Sequence, residues 1–552
     1  MRYPHGVAEL LLARAEDDNP AYLEGDRSWT WRQAIAESAR CAQALADLRR
    51  PGPFHVGIQL ENVPEYLFWL GGAALAGATA VGVNLTRSPA EVETDIRHTD
   101  CQLLITDRAG RERLAQLDLP VGPDRVLAID DPDDAAALAA YGTEPPSDVP
   151  APDTLALLLF TSGSTGAPKA VRCTTGRLAA TGNMAVDRFG MTADDVYYCA
   201  MPLFHGNALM YAWMPTVQVG ASVALRRRFS ASGFLPDVRR YGATIFNYVG
   251  KSLSYVLATP EKPDDADNPL KQGFGTEASW RDVEEFERRF GCVLKEGYGM
   301  SEGGGVRIHR TPDSPEASLG KPIVDTITVM NPDTLRECPP ARFDEAGRLL
   351  NGDEAIGEIV NTAGLDLFEG YYDNPEATAE RSRNGWFWTG DLGYRDADGF
   401  FYFAGRGHDA LRVDGENFSA IPVERILYRW APVVAAAVYA VPDPDGSDAV
   451  MVALELQGGA GRFDADEFAR FLAEQPDLGP KWVPQFVRIV RSMPTTGTNK
   501  VDKGPLRRAG VDTTDPAWWR PDRKAIAYRP MTEADQAAYR AALEARGRAT
   551  PT

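Results

Sequence analysis

A run of small residues that ends in a lysine is the strongest chemical signal in this sequence. It extends from Thr161 to Lys169 and reads Thr-Ser-Gly-Ser-Thr-Gly-Ala-Pro-Lys. Glycines allow a backbone to fold closely around an anion, and successive N–H groups then form a concave site for phosphate. Because Pro168 precedes the lysine and no Ser or Thr follows it, the run is not a Walker A loop. It predicts a phosphate-binding loop of another type, with a flexible surface loop as the alternative.

Three later segments carry the other groups that a nucleotide needs. Tyr298 and Glu302 lie among glycines, so that the ring can stack on a purine and the carboxylate can bind Mg²⁺. Asp391 is a natural acceptor for the hydroxyls of a ribose, and Arg406 can reach the same sugar or a phosphate. Lys500 ends a loop of Thr, Gly and Asn. Each of these segments alone is also typical of an ordinary surface turn.

The elements that must position these groups alternate between strand and helix patterns, which predicts a mixed α/β fold. The apolar run of residues 154–160 indicates a strand buried on both faces that leads directly into the phosphate loop. Thr30 and Gln33 resemble a capping box at the start of a helix. Residues 130–152, rich in Asp, Ala and Pro, predict an exposed connection. Further strands are predicted at residues 81–84, 103–107, 400–404, 433–441 and 450–456, and further helices at residues 464–474 and 532–546.

Length and charge exclude several classes of protein. A chain of 552 residues predicts at least two domains, and a formal net charge of -20 argues against nucleic acid as the main partner. The six cysteines are scattered without a C-x-x-C pair, so neither a zinc site nor a disulfide framework is predicted. Residues 66–85 carry no charge, but their glycines and alanines predict a buried helix and a strand rather than a transmembrane segment.

Taken together, the four segments resemble the adenylate-forming superfamily, which comprises acyl-CoA synthetases, luciferases and the adenylation domains of peptide synthetases. The similarity covers nearly the whole chain and includes residues 77–84, 202–207, 275–278 and 415–417. Residues 248–257, 415–417 and 496–498 look like the fatty-acid-transport and very-long-chain acyl-CoA synthetase branch.

The resemblance implies two half-reactions: the acid attacks the α-phosphate of Mg-ATP to give acyl-AMP, and CoA then displaces AMP. It assigns the β- and γ-phosphates to Thr161, Ser162, Gly163, Ser164, Thr165, Gly166 and Lys169. It assigns the adenine and the rest of the nucleotide to Gly275, Thr276, Glu277, Ala278, Tyr298, Gly299, Met300, Ser301, Asp391 and Arg406. It implies that Thr161 and Glu302 hold magnesium and that Lys500 bridges the attacking carboxylate and the phosphate.

The same resemblance implies how the chain is divided. A large N-terminal domain of mixed sheets and helices is expected at residues 1–408, and a small mobile α+β domain at residues 409–552, with the hinge at Asp409. By similarity, the substrate pocket includes His205, Tyr248 and Gly299, and Gly415 borders the CoA tunnel.

Three positions depart from the pattern of the family. Lys251 stands where the transport-protein branch often has an acid, and Ser301 stands where threonine is common. Asn499 precedes the lysine where the wider family favours glycine, although asparagine also tolerates left-handed geometry. The adenylation step is therefore the part of the prediction that departs most from the family pattern.

The sequence thus predicts an ATP-dependent acyl-CoA ligase for a large hydrophobic acid, either a long-chain fatty acid or a polycyclic steroid or terpenoid acid. The alternatives are an enzyme that only thioesterifies a supplied adenylate, a free-standing enzyme that loads a carrier protein, a luciferase-like oxidase and a silent binding module. A cytoplasmic protein, with peripheral contact to membranes, is expected. The oligomeric state is left open, and a homodimer would be unsurprising.

Overall fold

A computed structural model describes residues 3–161, 169–345, 347–406, 410–413, 416–444, 448–496 and 500–546. The helices are α1 (Val7–Leu12), α2 (Trp31–Leu48), α3 (Pro64–Ala76), α4 (Pro89–His98), α5 (Arg108–Leu114), α6 (Pro132–Ala139), α7 (Thr175–Phe189), α8 (Gly206–Ala208), α9 (Met214–Val219), α10 (Ala231–Tyr241), α11 (Gly250–Leu257), α12 (Trp280–Phe290), α13 (Gly352–Ala355), α14 (Pro375–Arg381), α15 (Ala420–Leu427), α16 (Ala465–Ala473), α17 (Lys503–Ala509) and α18 (Glu533–Ala545). A π-helical turn, Leu209–Trp213, joins α8 to α9.

The strands are β1 (Pro20–Glu24), β2 (Arg27–Thr30), β3 (His55–Ile58), β4 (Thr79–Gly82), β5 (Cys101–Thr106), β6 (Val126–Ala128), β7 (Leu155–Thr161), β8 (Lys169–Thr174), β9 (Val196–Cys199), β10 (Ser222–Leu225), β11 (Ile245–Val249), β12 (Gln272–Thr276), β13 (Val293–Tyr298), β14 (Ile308–His309), β15 (Lys321–Pro322), β16 (Ile327–Met330), β17 (Gly357–Asn361), β18 (Phe387–Arg395), β19 (Phe401–Arg406), β20 (Ala410–Val413), β21 (Glu416–Ser419), β22 (Val433–Pro442), β23 (Asp448–Leu456), β24 (Phe486–Ile489), β25 (Ala517–Trp519) and β26 (Arg529–Pro530).

Two large, mostly parallel sheets form the body of the N-terminal part. Within the described residues their strand orders are β6-β5-β3-β4-β7-β8 and β15-β14-β13-β12-β11-β9-β10-β1-β2. Helices cover both sheets, as the apolar residues of parallel strands require. An antiparallel sheet, β16-β17-β18-β19, follows in the chain. The C-terminal part contains the hairpin β20-β21 and the sheet β22-β23-β24-β25-β26 with its own apolar core. The predicted α/β fold, with a large N-terminal and a smaller C-terminal domain, is confirmed.

Local sequence patterns account for many of these elements. Thr30 caps α2 in a capping box with Gln33, and Thr532 caps α18 in the same way with Asp535. The predicted buried strand is β7, which pairs with β4 on one side and β8 on the other. In the predicted exposed connection, Asp131 caps the short helix α6 by accepting from two backbone N–H groups, so that segment is more ordered than its composition indicates.

The uncharged segment at residues 66–85 contains helix α3 and strand β4. Helix α3 packs closely on α2 through glycine: a Cβ at Gly72 would lie 2.5 Å from the Cβ of Cys41 and 2.9 Å from the carbonyl oxygen of Ser38. Gly72 therefore allows close helix packing, and the segment is a buried helix followed by a strand, as predicted. Throughout the described part of the chain, every helix is too short or too polar to cross a bilayer.

Candidate active site

A cavity of about 1690 Å³ lies between the two large sheets and reaches the segment that carries Lys500. Ten of the residues singled out from sequence line it: Thr161, Lys169, His205, Thr276, Tyr298, Gly299, Met300, Ser301, Glu302 and Lys500. Eight of them belong to the phosphate run, the segment around Glu302 and the loop that ends in Lys500. Thr389 and Gly390, next to Asp391, also line the cavity, so the fold brings the four sequence signals to one place. Its volume exceeds the roughly 300–1,000 Å³ of an ordinary ligand pocket, which suits more than one substrate.

Strands β7 and β8 fix the two ends of the predicted phosphate loop. Thr161 and Lys169 lie opposite each other in the antiparallel pair. Lys169 is buried, with its ammonium group 3.9 Å from Glu380. Ser162, Gly163, Ser164, Thr165 and Gly166 lie outside the described residues. The described ends place a hydroxyl and an ammonium group in the cavity wall, as phosphate binding requires.

Glu302 and Thr161 are the two residues predicted to hold magnesium, and both line the cavity. The Glu302 side chain is only 7% exposed, and one of its carboxylate oxygens accepts a hydrogen bond of 2.9 Å from the hydroxyl of Tyr371. A carboxylate and a hydroxyl are hard oxygen donors, the kind that Mg²⁺ prefers beside phosphate oxygens. The residues present therefore fit the ion.

Tyr298 and Asp391, assigned to the nucleotide from separate sequence segments, contact each other. The Tyr298 hydroxyl donates a 2.7 Å hydrogen bond to Asp391 Oδ2. Asp391 lies in β18 opposite Arg406 of β19, so backbone pairing holds both predicted ribose-binding residues at one level of the sheet. The side chain of Arg406 lies outside what the structure describes.

Two buried side chains, Tyr248 and Glu296, contact residues 275–278, the segment predicted to frame the adenine. Tyr248 is 1% exposed and lies behind the cavity wall, where its hydroxyl donates a 2.6 Å hydrogen bond to Glu296. Its ring packs against Gly275, at which a Cβ would lie 2.3 Å from a ring carbon. Burial raises the pKa of Glu296 to about 7, and the backbone of Ala278 also bonds to this carboxyl. Tyr248 thus supports the segment rather than lining the pocket to which it was assigned.

His205 and Lys500 approach each other at the cavity. Burial and, secondarily, the charge of Lys500 lower the pKa of His205 to about 4, so the imidazole is neutral at pH 7. Its Nδ1 accepts a hydrogen bond from the backbone N–H of Asn207. Lys500 donates to the carboxylate of Glu277, a non-glycine residue with a φ of +68°. The catalytic lysine predicted from sequence therefore has its ammonium group held at the cavity edge.

Two arginines in the cavity wall were missed by the sequence analysis. Arg177 is buried and donates to the backbone oxygens of Ser301 and Arg172, which fixes the segment that carries Glu302. Arg381 lies close enough to Tyr371, Glu302 and Asp391 to interact with each electrostatically. Neither arginine stands in a distinctive motif, and only tertiary packing brings them to the site.

Another part of the cavity wall is aromatic, with charged side chains beside the rings. Tyr211 and Phe274 line it with their ring centroids 4.8 Å apart, and the guanidinium of Arg188 lies 5.4 Å from the centre of the Phe274 ring. Tyr211 belongs to the π-helical turn, a feature that often marks functional sites. Met184 and Ile323 line the rim, and they are 38% and 47% exposed. This wall was not foreseen, because its residues lie far apart in the sequence.

The residues predicted for the hinge and for the CoA tunnel are outside the part of the chain that the structure describes. Asp409, the predicted hinge, and Gly415, the predicted border of the CoA tunnel, lie outside the described residues. The arginine run at residues 226–228 pairs with carboxylates: Arg226 contacts Asp237, while the next two contact Glu24 and Glu61. The run follows strand β10, and its side chains are exposed and ion-paired.

Comparison with known proteins agrees with this geometry. Residues 12–372 match the AMP-binding enzyme family, and residues 422–500 match the AMP-binding enzyme C-terminal domain. Steroid-22-oyl-CoA synthetase of Rhodococcus jostii is 53% identical over 544 residues, which cover 98% of each chain. The medium/long-chain-fatty-acid–CoA ligase FadD17 of Mycobacterium marinum is 45% identical over 515 residues, which cover 93% of this chain and 98% of that protein.

Solved structures share the fold at lower identity. The anthranilate CoA ligase AuaEII in complex with anthranoyl-AMP has a TM-score of 0.78 at 22% identity and covers 92% of this chain and 97% of that chain. ATP-bound MatB from Rhodopseudomonas palustris has a TM-score of 0.76 at 24% identity, with 91% and 98% covered. The resemblance to the adenylate-forming superfamily is confirmed: the chain belongs to the AMP-binding enzyme family, among its acyl-CoA ligases.

Proposed function

We propose that this protein joins CoA to a large polycyclic carboxylic acid of the steroid type, in an ATP-dependent reaction through an acyl-adenylate. The observation that carries the proposal is the single cavity of about 1690 Å³ that runs from the lysine and carboxylate groups to the aromatic wall of Tyr211 and Phe274. One end suits a nucleotide, and the other suits an apolar acid of considerable size. The 53% identical steroid-22-oyl-CoA synthetase supports the polycyclic class over a straight chain.

Charge in the cavity supports anionic substrates. Among the described residues that line it, eight are Lys or Arg and seven are Asp or Glu, whereas the whole chain has 58 and 78. The cavity is thus less negative than the protein as a whole, which lowers the cost of bringing ATP and a carboxylate together. Acyl-CoA ligases of this family use ATP, Mg²⁺ and CoA, and the residues present agree with that use.

In the first half-reaction, the acid oxygen attacks the α-phosphorus of ATP and pyrophosphate leaves. The proposed task of Lys500 is to lie between the carboxylate and the phosphate and to stabilise the charge that they share. Lys169 and Arg381 both line the cavity, and their proposed task is to neutralise the leaving pyrophosphate. Magnesium held by Thr161 and Glu302 would add Lewis-acid stabilisation of the phosphate oxygens.

In the second half-reaction, the sulfur of CoA attacks the acyl carbon and AMP leaves. The neutral imidazole of His205 lies in the cavity wall, where it can border the path of the acyl group without adding charge. We propose that residues 409–552 rotate as a unit about Asp409 between the half-reactions and that Gly415 then borders the pantetheine. Rotation would withdraw Lys500 from the cavity and open a path for the thiol.

The proposal includes a cytoplasmic protein that contacts membranes peripherally to collect its acid. The exposed apolar residues Met184, Ile323 and Val324 support this, since the first two line the cavity rim and the third is the neighbour of Ile323. Flotation with phosphatidylcholine vesicles tests it, because a protein that stays at the bottom of the gradient would exclude membrane contact. The oligomeric state, which the sequence leaves open, is measured by sedimentation equilibrium, and a homodimer would be unsurprising.

The function is tested by incubating the protein with Mg-ATP and a panel of acids, with and without CoA. The panel contains a steroid with a side-chain carboxyl group, hexadecanoate, octanoate and benzoate, and mass spectrometry follows acyl-AMP and acyl-CoA. Acyl-AMP without CoA and acyl-CoA with it, highest for the steroid acid, is the expected result. A preference for hexadecanoate would overturn the polycyclic class.

Parallel reactions with synthetic acyl-adenylates and CoA separate the alternatives. Thioester from supplied adenylates alone would mean that the enzyme only thioesterifies. Acyl-AMP that is never converted by CoA would instead point to an enzyme that loads another thiol, such as a carrier protein.

A further inference from the structure

A buried polar cluster joins helix α11 of the N-terminal part to strand β23 of the C-terminal part. Lys251 and Tyr255, one turn apart in α11, face Glu455 of β23. The Tyr255 hydroxyl donates a 3.1 Å hydrogen bond to Glu455 Oε2, and the Lys251 ammonium lies 3.8 Å from the same atom. Lys251 is only 4% exposed and Glu455 only 13%, so the pair is largely shielded from water.

The cluster also holds the chain segment that leads to the catalytic lysine. Glu455 Oε2 accepts a 2.7 Å hydrogen bond from the backbone N–H of Met493, and Lys251 donates a 3.0 Å hydrogen bond to the carbonyl oxygen of the same residue. Both backbone groups of Met493 are therefore bound, seven residues before Lys500. Thr495 and Val501, which flank Lys500 in the sequence, are paired in an isolated antiparallel bridge.

Helix α11 also contacts Glu277, the residue that pairs with Lys500. Lys500 pairs with Glu277, and the backbone of Glu277 lies against Gly250, the first residue of α11. A Cβ at Gly250 would lie only 2.0 Å from the carbonyl oxygen of Glu277. Thus α11 contacts the lysine segment near Met493 and supports the acidic partner of Lys500.

We propose that Lys251, Tyr255 and Glu455 are positioning residues that dock the C-terminal domain for acyl-adenylate formation and place Lys500 in the cavity. The proposal deepens the proposed function, on which it rests, by assigning a task to a lysine that departs from the family pattern. None of the three is among the described residues that line the cavity, so they act through Met493 and the segment that carries Lys500.

The Lys251–Glu455 pair is expected to contribute little net stability to the docked arrangement. Burial lowers the pKa of Lys251 to about 8, and the charge of Glu455 offsets only part of this cost. A buried ion pair whose desolvation cancels much of its attraction contributes geometry more than net stability. Removal of one partner is different, because it leaves the other charge buried without compensation. Loss of Glu455 should therefore disfavour the docked arrangement strongly.

The test measures the two half-reactions separately. For Glu455→Ala we expect acyl-AMP formation from acid and ATP to fall about thirtyfold or more, because a buried charge loses its partner. Thioester formation from synthetic acyl-AMP and CoA should change by less than about threefold, since it needs the domain released. Tyr255→Phe, which keeps the ring, should lower only the first half-reaction, by about three- to tenfold.

Tyr141→Phe is the matched control. The Tyr141 hydroxyl donates a 2.7 Å hydrogen bond to the carboxylate of Asp47 on the surface of the N-terminal part, so the variant loses the same chemical contact elsewhere. Both half-reactions of this variant should match the unaltered protein. Equal losses in the two half-reactions of Tyr255→Phe, or no loss in the first, would overturn the positioning role.

Hydrogen exchange gives a readout that does not depend on activity. The Met493 amide donates to Glu455 and is therefore protected from exchange in the docked arrangement. Peptides across residues 490–496 should exchange faster in Glu455→Ala than in the unaltered protein. In Tyr141→Phe the exchange rate of the same peptides should not change. Unchanged exchange in Glu455→Ala would refute the docking contact itself. If the unaltered protein made neither product while exchange responded as expected, the proposed ligase activity would fail and the docking contact would stand.

Discussion

Replacement of Gly299 by leucine should make the enzyme reject bulky acids and leave small acids unaffected. Gly299 lines the cavity, and a Cβ built there meets only the carbonyl oxygen of Val306, at 3.6 Å. Its φ lies outside the left-handed region, so a side chain is tolerated by the backbone. A leucine at this position therefore extends into open space rather than into the protein core.

The magnitude follows from the volume that the new side chain takes from the acid. The four carbons of leucine displace about three buried methylene groups of a bulky substrate, at roughly 0.8 kcal/mol each, which lowers kcat/KM by about 30- to 150-fold. Gly299→Ala adds one carbon and should cost about fourfold at most. Propionate leaves this end of the cavity empty, so its kcat/KM should change by less than about threefold.

The assay compares kcat/KM for a steroid side-chain acid and for propionate, measured as acyl-CoA formed with saturating ATP and CoA. Gly461→Leu is the control, because Gly461 lies exposed in a 3₁₀ turn with no atom within 4 Å of an added Cβ. An equal loss for both acids would place Gly299 at the nucleotide instead of the acid. Unchanged turnover of the steroid acid would refute the location of the acid pocket.

Three further expectations concern charge in the site. Lys500→Ala should lower acyl-AMP formation by about 10²- to 10³-fold and largely spare thioester formation from synthetic acyl-AMP; equal losses would contradict its assigned role. Glu302→Gln, which keeps an acceptor for Tyr371, should raise the Mg²⁺ concentration for half-maximal adenylation at least about tenfold, and an unchanged Mg²⁺ titration would remove Glu302 from the ion. Because the pKa of His205 falls from 6.5 to about 4 in the folded protein, the unfolded chain takes up the proton first, and stability is lost as the pH falls from 6.5 toward 4. Urea unfolding at pH 7.5 and pH 5 should show about 2 kcal/mol more loss for the unaltered protein than for His205→Asn, and identical losses would contradict the shift.

The chemistry of the nucleotide end could be predicted from sequence because its residues lie in short contiguous motifs. The glycine and hydroxyl residues before Lys169 indicate a phosphate loop through the local backbone geometry that they favour. The same holds for the glycine-rich run around Tyr298 and Glu302. The cavity lining confirms that these segments meet. Their individual roles stay predictions that the half-reaction assays test. The helix caps at Thr30 and Thr532 were found for the same reason, since a cap depends on residues three positions apart.

The acid end and the domain contact could not be predicted in this way. Tyr211 and Phe274 lie 63 positions apart, and their 4.8 Å contact exists only because a π-helical turn packs against strand β12. The sequence likewise indicated that Lys251 departs from the family pattern but gave no partner for it. Its partner, Glu455, lies 204 positions later in strand β23 of the C-terminal part.

The sequence by itself indicated the family, the use of an acid, ATP and CoA, and the candidate groups for phosphate, because phosphate binding depends on backbone conformation that a few neighbouring residues specify. The tertiary structure decided the size and wall of the cavity, the support that Tyr248 gives to residues 275–278 and the contact of Lys251 with Glu455. Those features depend on side chains from distant segments, and only the packing of the sheets and helices determines which of them meet.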